Sequence, residues 1–261
     1  GRAHGLAYEY RLIDLEALNI EAASWPALIE AAERAGFAGL NITFPLKQMV
    51  LAGLTDLSED ARALSAVNTI VLKGGKRTGH NTDWWGFAEA FRREFADAKR
   101  GVVAQFGAGG AGAAVAHALL MSGVGELRLV EADRAKSEAL AAGLAARFPR
   151  ARIAGTWTAA AAVTGADGIV NATPVGMSKL PGTPLAVGLI HPNQWVNDII
   201  YFPLETALLR HARALGCRTS NGGGMAVFQA VKAFELFSGR IADPARMQAH
   251  FAALVKSAQP N

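Results

Sequence analysis

Val102-Val103-Ala104-Gln105-Phe106, running directly into Gly107-Ala108-Gly109-Gly110-Ala111-Gly112, is the stretch on which the fold turns. It reads as a buried apolar strand feeding into a turn that satisfies G-x-G-x-x-G at Gly107, Gly109 and Gly112. The first glycine permits a tight turn and the second lets backbone approach a pyrophosphate. The third lets helix and strand pack closely, and the helix N-terminus adds partial positive charge. Glycine-rich turns of this kind also occur without a nucleotide, so the residues beyond the turn carry weight. The next apolar run, Glu126 to Val130, ends at Glu131, about twenty residues past the turn, where an acid accepts hydrogen bonds from ribose hydroxyls and repels a 2′-phosphate. That favours NAD over NADP. Arg134 and Lys136 stand close by and can reach a phosphate if Glu131 turns away; equally, all three can be a solvated helix start.

Outward from this unit, strand-like runs alternate with segments of helical period, which predicts an α/β fold of helices packed on mostly parallel sheets. Upstream, the pattern predicts strands at Tyr8 to Ile13, Gly39 to Thr43 and Ala66 to Leu72. Helices are expected over Ser24 to Ala35, after Pro45, and over Asp83 to Phe95. The polar joint Asp97 to Arg100 marks a domain boundary. Downstream, Ala151 to Ala154, Gly168 to Asn171 and Trp195 to Asp198 read as further strands, with helices at Arg134 to Phe148 and Thr158 to Val163. A chain of 261 residues with 51% apolar content can fill two cores. Its 26 basic and 22 acidic residues are scattered, without the like-charge run that tracks nucleic acid or an anionic membrane, so neither is an expected partner. The single cysteine, Cys217, is placed in a packed strand and suits a reducing cytoplasm. The histidines show no i,i+4 pairing, so no metal site is expected.

Two polar clusters carry the chemistry. Gly39-Leu40-Asn41-Ile42-Thr43-Phe44-Pro45-Leu46-Lys47 ends one strand and starts a helix, and Gly79-His80-Asn81-Thr82-Asp83 repeats that organisation. Oxidising an alcohol needs a group to take the hydroxyl proton as hydride leaves, and a lysine beside a carboxylate can do so. Lys47 and Asp83 are the candidates. Each taken alone has an ordinary explanation, Lys47 starting a surface helix and Asp83 capping one.

In order along the chain, GLNITFPLK, AVNT, GHNTD, FGAGGAG, VNATPVGM, DIIY and GGGMAVFQA resemble the successive motifs of the shikimate/quinate dehydrogenase family over nearly the whole sequence. The resemblance implies a discontinuous α/β catalytic domain, residues 1–99 with 225–261, and a Rossmann-type doubly wound dinucleotide-binding domain, residues 100–224, with a cleft between them. It implies Lys47 and Asp83 as catalytic pair, and Thr43, Asn68, Tyr201 and Gln229 as holders of the substrate's hydroxyls and carboxylate. It implies a cofactor lying along Gly107, Ala108, Gly109, Gly110, Ala111 and Gly112, beside Glu131 and Asp133. Asn171, Ala172, Thr173, Ile199, Gly222 and Met225 complete that set. The expected partner is a small cyclic hydroxy acid bound by a monomer or homodimer.

Within the family, Glu131-Ala132-Asp133 differs from the Asn-Arg-Thr type of turn associated with NADP-dependent members, and resembles the NAD-using quinate/shikimate branch. Two departures stand out. The sequence starts after the strand and serine-rich turn with which family members begin, so a preceding segment is expected. Trp84-Trp85 comes directly after Asp83, where the bulky rings are expected to fill core. The competing readings are an enzyme acting on a related ring, such as an aminated one, and a binding protein that kept the fold and lost turnover.

Overall fold

The structure, a computed structural model, describes residues 1–156 and 158–258. The chain forms two compact units, one of Gly1–Thr82 with Val231–Asp243, the other of Asp83–Ala230 with Pro244–Asn261.

The first unit contains α1 (Trp25–Arg34), β1 (Gly39–Asn41), α2 (Leu46–Met49), β2 (Asp56–Leu57), α3 (Glu59–Leu64), β3 (Thr69–Lys73) and β4 (Lys76–His80). Its sheet has the order β1-β3-β4-β2. Ile29 and Ala32, one turn apart on α1, are buried with Val50, Ala61, Val67 and Ile70 in one core. The Ser58 hydroxyl caps α3 by accepting from the Ala61 N–H at 3.2 Å. Arg77 on β4 is paired with Glu33 of α1 at 2.7 Å, tying helix to sheet.

The second unit contains α4 (Asp83–Glu94), β5 (Val102–Phe106), α5 (Gly110–Met121), β6 (Glu126–Val130), α6 (Arg134–Arg147), β7 (Arg152–Thr156) and α7 (Ala159–Val163). After these come β8 (Gly168–Asn171), β9 (Trp195–Asp198), α8 (Ala207–Ala214), β10 (Arg218–Ser220), α9 (Gly223–Ser238), whose residues from Val231 on belong to the first unit, and α10 (Pro244–Ala258). All neighbours in its sheet are parallel, in the order β10-β9-β8-β5-β6-β7. Chain order reverses between β5 and β8, which makes that edge the topological switch point. Phe87 and Phe91 on α4 and Phe95 just past its end recur one turn apart, and Phe91 and Phe95 meet Trp195 with ring centroids 5.1 and 4.9 Å apart. Each such buried ring stabilises the fold by about 1.5–3 kcal/mol.

Four expectations need correction or restatement. Tyr8–Ile13 is not a strand: no sheet takes up its backbone, and Tyr10 and Leu12 stand 67% and 82% exposed. Alternation of apolar residues yields a strand only where a neighbour completes the ladder. The first sheet is not mostly parallel either. β3 and β4 are joined by Gly74-Gly75, both at positive φ, in a hairpin whose strands pair antiparallel; β1 also pairs with β3 antiparallel, while β2 and β4 are parallel. Cys217 precedes β10 instead of lying in it; it is buried, and its Sγ donates to the His191 carbonyl at 3.3 Å. Asp97–Arg100 lies inside the second unit, since the phenylalanines of α4 share a core with Val103, Val115 and Leu119.

His117 on α5 is 1% exposed, edge-on to Trp84 at 5.3 Å and to Phe148 at 5.4 Å. Burial, reinforced by the charge of Arg147, lowers its pKa from 6.5 to about 4. Because the unfolded chain takes up this proton first as pH falls, native stability is lost between about pH 6.5 and pH 4, by up to about 3 kcal/mol from this group. Denaturant melts across that window should show a shallower acid loss for His117→Leu than for the wild type; parallel curves would contradict the assignment.

Candidate active site

In the first unit, the residues expected to serve the substrate converge at the ends of β1, β3 and β4. The Ile42 N–H donates to the Asn68 carbonyl at 2.7 Å, and the Val67 N–H donates to the Lys47 carbonyl at 2.8 Å, so Lys47 and Asn68 are anchored to the same turn. Asn68 is 3% exposed. Its Nδ2 donates to the Thr82 hydroxyl at 2.9 Å and its Oδ1 accepts from the Thr82 N–H at 2.7 Å and the Thr69 hydroxyl at 3.2 Å. Asn81 donates to the Ala66 carbonyl at 3.0 Å. Thr43 is exposed in the loop between β1 and α2, and Lys47, on α2, is half-buried.

In the second unit, the expected cofactor residues stand at the carboxyl ends of β5, β6, β8 and β9, on both sides of the switch point, with Gly222 and Met225 following β10. The three glycines differ in what they permit. Gly107 has φ +99°, and a Cβ there would lie 2.6 Å from the Ala172 carbonyl oxygen; at Gly112 a Cβ would overlap the Gly107 carbonyl. Both are required by the fold itself. Gly109 has an ordinary φ of −72°, and its Cβ would meet nothing. Its bareness leaves open space over the N-terminus of α5, which fits a pyrophosphate held by backbone N–H groups. The Glu131 carboxylate accepts from the Ala108 N–H and from its own neighbour Ala132, each at 2.9 Å, so a negative charge sits against the turn.

The loop after β8 is built from within. Asn171 donates to the Val175 carbonyl and to Asp198 Oδ1, both at 3.0 Å, and its Oδ1 accepts from the Thr173 N–H at 3.0 Å and hydroxyl at 2.7 Å. Its side chain is therefore committed to shaping the loop that presents Ala172 and Thr173. Asp198 also accepts from the Ile200 N–H at 3.1 Å and the Thr206 hydroxyl at 2.8 Å. Burial pushes the Asp198 carboxyl above the usual carboxylate range, and those three partners hold it back. Gly222 donates to the Ile200 carbonyl at 3.0 Å, and a Cβ there would overlap the Ile199 carbonyl.

Asp83, 6% exposed, opens α4, where a carboxylate suits the helix dipole. Asp133 caps α6 by accepting from the Lys136 N–H at 3.2 Å, while Arg134 pairs with Glu138 at 2.8 Å. Met225 is buried, Gln229 donates to the Ala226 carbonyl at 3.0 Å, and Tyr201 is exposed. Trp84, half-buried, packs against the core beside His117, and Trp85, half-buried, is edge-on to Phe228 at 6.4 Å. Sequence reasoning missed Thr82 and Asp198, although both lie inside motifs it quoted. It also missed Thr206, whose signal was a hydroxyl immediately before an amphipathic helix. It missed Gln105, fully buried in β5, whose Nε2 donates to the Gly107 and Gly112 carbonyls at 2.9 and 2.8 Å while its Oε1 has no partner among the described residues. An unmatched buried acceptor costs about 1–3 kcal/mol.

A parallel sheet with a bare glycine over a helix N-terminus at its switch point, and an acid ending the next strand, defines a dinucleotide-binding enzyme scaffold. The family model for the shikimate dehydrogenase substrate binding domain matches residues 2–70. The shikimate dehydrogenase (NADP(+)) of Streptomyces avermitilis is 52% identical over 256 residues, 97% of this chain and 88% of that protein. The quinate/shikimate dehydrogenase (NAD(+)) of Corynebacterium efficiens is 45% identical over 257 residues, 97% of this chain and 90% of that one. The solved structure of quinate dehydrogenase from Corynebacterium glutamicum in complex with NAD superposes with a TM-score of 0.88 at 43% identity, covering 97% of this chain and 91% of that one. The chain belongs to the shikimate/quinate dehydrogenase family and is an NAD(P)-dependent oxidoreductase.

The glycines yield a paired prediction. Gly109→Ala should melt like the wild type yet bind dinucleotide at least tenfold more weakly by calorimetric titration. Gly112→Ala should lose roughly 1–3 kcal/mol of stability through overpacking. Unweakened dinucleotide binding by Gly109→Ala would show that the space over Gly109 is not used.

Proposed function

We propose that this enzyme uses NAD to oxidise, reversibly, a ring hydroxyl of quinate or shikimate to the 3-dehydro acid. The named relatives divide between NAD and NADP, so kinship leaves the cofactor open. The observation that carries the choice is the Glu131 carboxylate, held at 2.9 Å on the Ala108 N–H. A negative charge at the end of the second strand accepts from ribose hydroxyls and repels a 2′-phosphate. The Arg134 guanidinium is turned to Glu138, with which it pairs at 2.8 Å.

A nicotinamide dinucleotide held by the glycine turn would supply the hydride acceptor. Gly109 leaves room for the pyrophosphate, and Asn171, shaped by Asp198, holds Ala172 and Thr173 along the cofactor, with Ile199, Gly222 and Met225 nearer the nicotinamide. Lys47 takes up the proton of the substrate hydroxyl, with Asp83 as the carboxylate paired with it in that role. Thr43, Asn68, Tyr201 and Gln229 hold the remaining hydroxyls and the carboxylate. The buried hydrogen bonds from Asn68 to Thr82 and Thr69 fix that amide before substrate arrives, which lowers the cost of ordering it. The lone, buried cysteine and the absence, among the described residues, of any helix long and apolar enough to cross a membrane are compatible with work in a reducing cytoplasm.

Reduced-cofactor absorbance should rise when the enzyme meets NAD with quinate or shikimate, and Lys47→Ala should lower kcat roughly a hundredfold or more while leaving NAD affinity intact. Near wild-type turnover by Lys47→Ala would remove Lys47 from the proton-transfer role. Glu131→Ala should raise kcat/KM with NADP relative to NAD; a wild type already preferring NADP would overturn the role given to Glu131.

A further inference from the structure

Gln105 is an unusual occupant of its place. It sits in the central strand of an all-parallel sheet, opposite Leu129 on one side and Val170 on the other, with no exposure to solvent. A strand that had only to pack would carry valine or leucine there. The amide instead donates both of its hydrogens into the glycine turn, to the carbonyls of Gly107 and Gly112, and leaves its own oxygen unmatched among the described residues. A side chain retained at that cost is doing something other than filling space.

The geometry of the peptide bond says what. In a trans peptide the C=O and N–H of one unit point in opposite directions. Gln105 pulls the Gly107 carbonyl inward at 2.9 Å, which aims the Ala108 N–H of the same unit outward, and that N–H donates to Glu131 Oε2 at 2.9 Å. One rigid plane is thus gripped at opposite edges, by an amide from β5 and by a carboxylate from the end of β6. The second Gln105 bond, to Gly112, ties the first turn of α5 to the same anchor.

We propose that Gln105 is a positioning residue for cofactor recognition: it presets the glycine turn and, through the Gly107–Ala108 peptide, the carboxylate that reads the adenine-side ribose. It touches neither cofactor nor substrate. The proposal rests on the reading that the turn and Glu131 take NAD, and the test separates the two.

The full-length chain carrying Gln105→Met, close in volume and without a donor, is compared with the wild type by calorimetric titration of NADH and by initial rates. Dissociation constant and KM for NAD should rise roughly tenfold, the scale of one to two buried hydrogen bonds. The NAD over NADP preference should shrink, while kcat at saturating cofactor and KM for the ring acid change less than about twofold. Glu131→Gln and the double variant complete a cycle in which the two losses are less than additive, since both act on one peptide plane. If Gln105→Met does not melt cooperatively, Gln105→Glu takes its place, a neutral buried acid having one donor instead of two. Unchanged NADH affinity, strictly additive losses, or a deficit spread equally over kcat and both KM values would overturn the proposal. A wild type that prefers NADP sinks the NAD reading alone, because Gln105 would still be tested by its effect on the affinity of that cofactor.

Discussion

The crossing of β5 into α5 is the constraint from which the rest of the second unit takes its shape. At φ +99° the backbone at Gly107 turns back sharply enough for its Cα to face the Ala172 carbonyl, and Gly112 packs its own Cα against the Gly107 carbonyl. No side chain fits at either point. The consequence is that the first turn of α5 lies directly over the carboxyl edge of the sheet, with its unpaired N–H groups aimed at whatever occupies the space above Gly109. A methyl group at either point would overpack the contact and press helix and sheet apart, at a cost in stability.

Around that crossing the protein places polar side chains in a buried region, where they are destabilising unless matched. Gln105 and Glu131 hold the turn, Asn171 and Asp198 hold the loop after β8, and Thr206 links that loop to the start of α8. In the first unit Asn68, Thr69 and Thr82 make a second matched network beside the backbone anchor of Lys47. Both networks sit at strand ends, where side chains leave the apolar interior and can be shared between scaffold and chemistry. A charged cofactor and a polyhydroxylated acid both need donors and acceptors already in place, since ordering them on binding would subtract from affinity.

How much of this was legible in the sequence depends on how local each determinant is. The strands Val102–Phe106, Glu126–Val130, Gly168–Asn171 and Trp195–Asp198 have the limits expected from sequence: β5 and β8 are largely apolar runs buried on both faces, β6 alternates Leu127 and Leu129 inward, and the glycine turn punctuates β5. Tyr8–Ile13 misled because alternation is a local property and pairing is not. The antiparallel β3/β4 hairpin was announced by Gly74-Gly75, a signal passed over in favour of the dominant parallel pattern. Lys47 and Asp83 are candidates because polar residues cluster at strand ends, and Asn68 because of motif order. Gln105 escaped because a glutamine in an apolar run looks like noise until its two hydrogen bonds to residues two and seven positions on are seen. Asp133 reads the other way: a plausible cofactor acid by sequence, it is engaged in capping α6.

A dinucleotide cradle built before any ligand arrives, at the β5/β8 edge, is what the chemistry depends on, and the proposed choice of NAD rests on the acid that ends β6. A crystal structure of the protein with NAD tests that most directly. The pyrophosphate should lie over Gly109 within hydrogen-bonding distance of the N–H groups that open α5, with the Glu131 carboxylate on the ribose hydroxyls and the backbone of Gly107–Gly112 unmoved. A dinucleotide bound with its ribose away from Glu131, or a turn that rearranges to receive it, would contradict the prebuilt, NAD-selecting cradle.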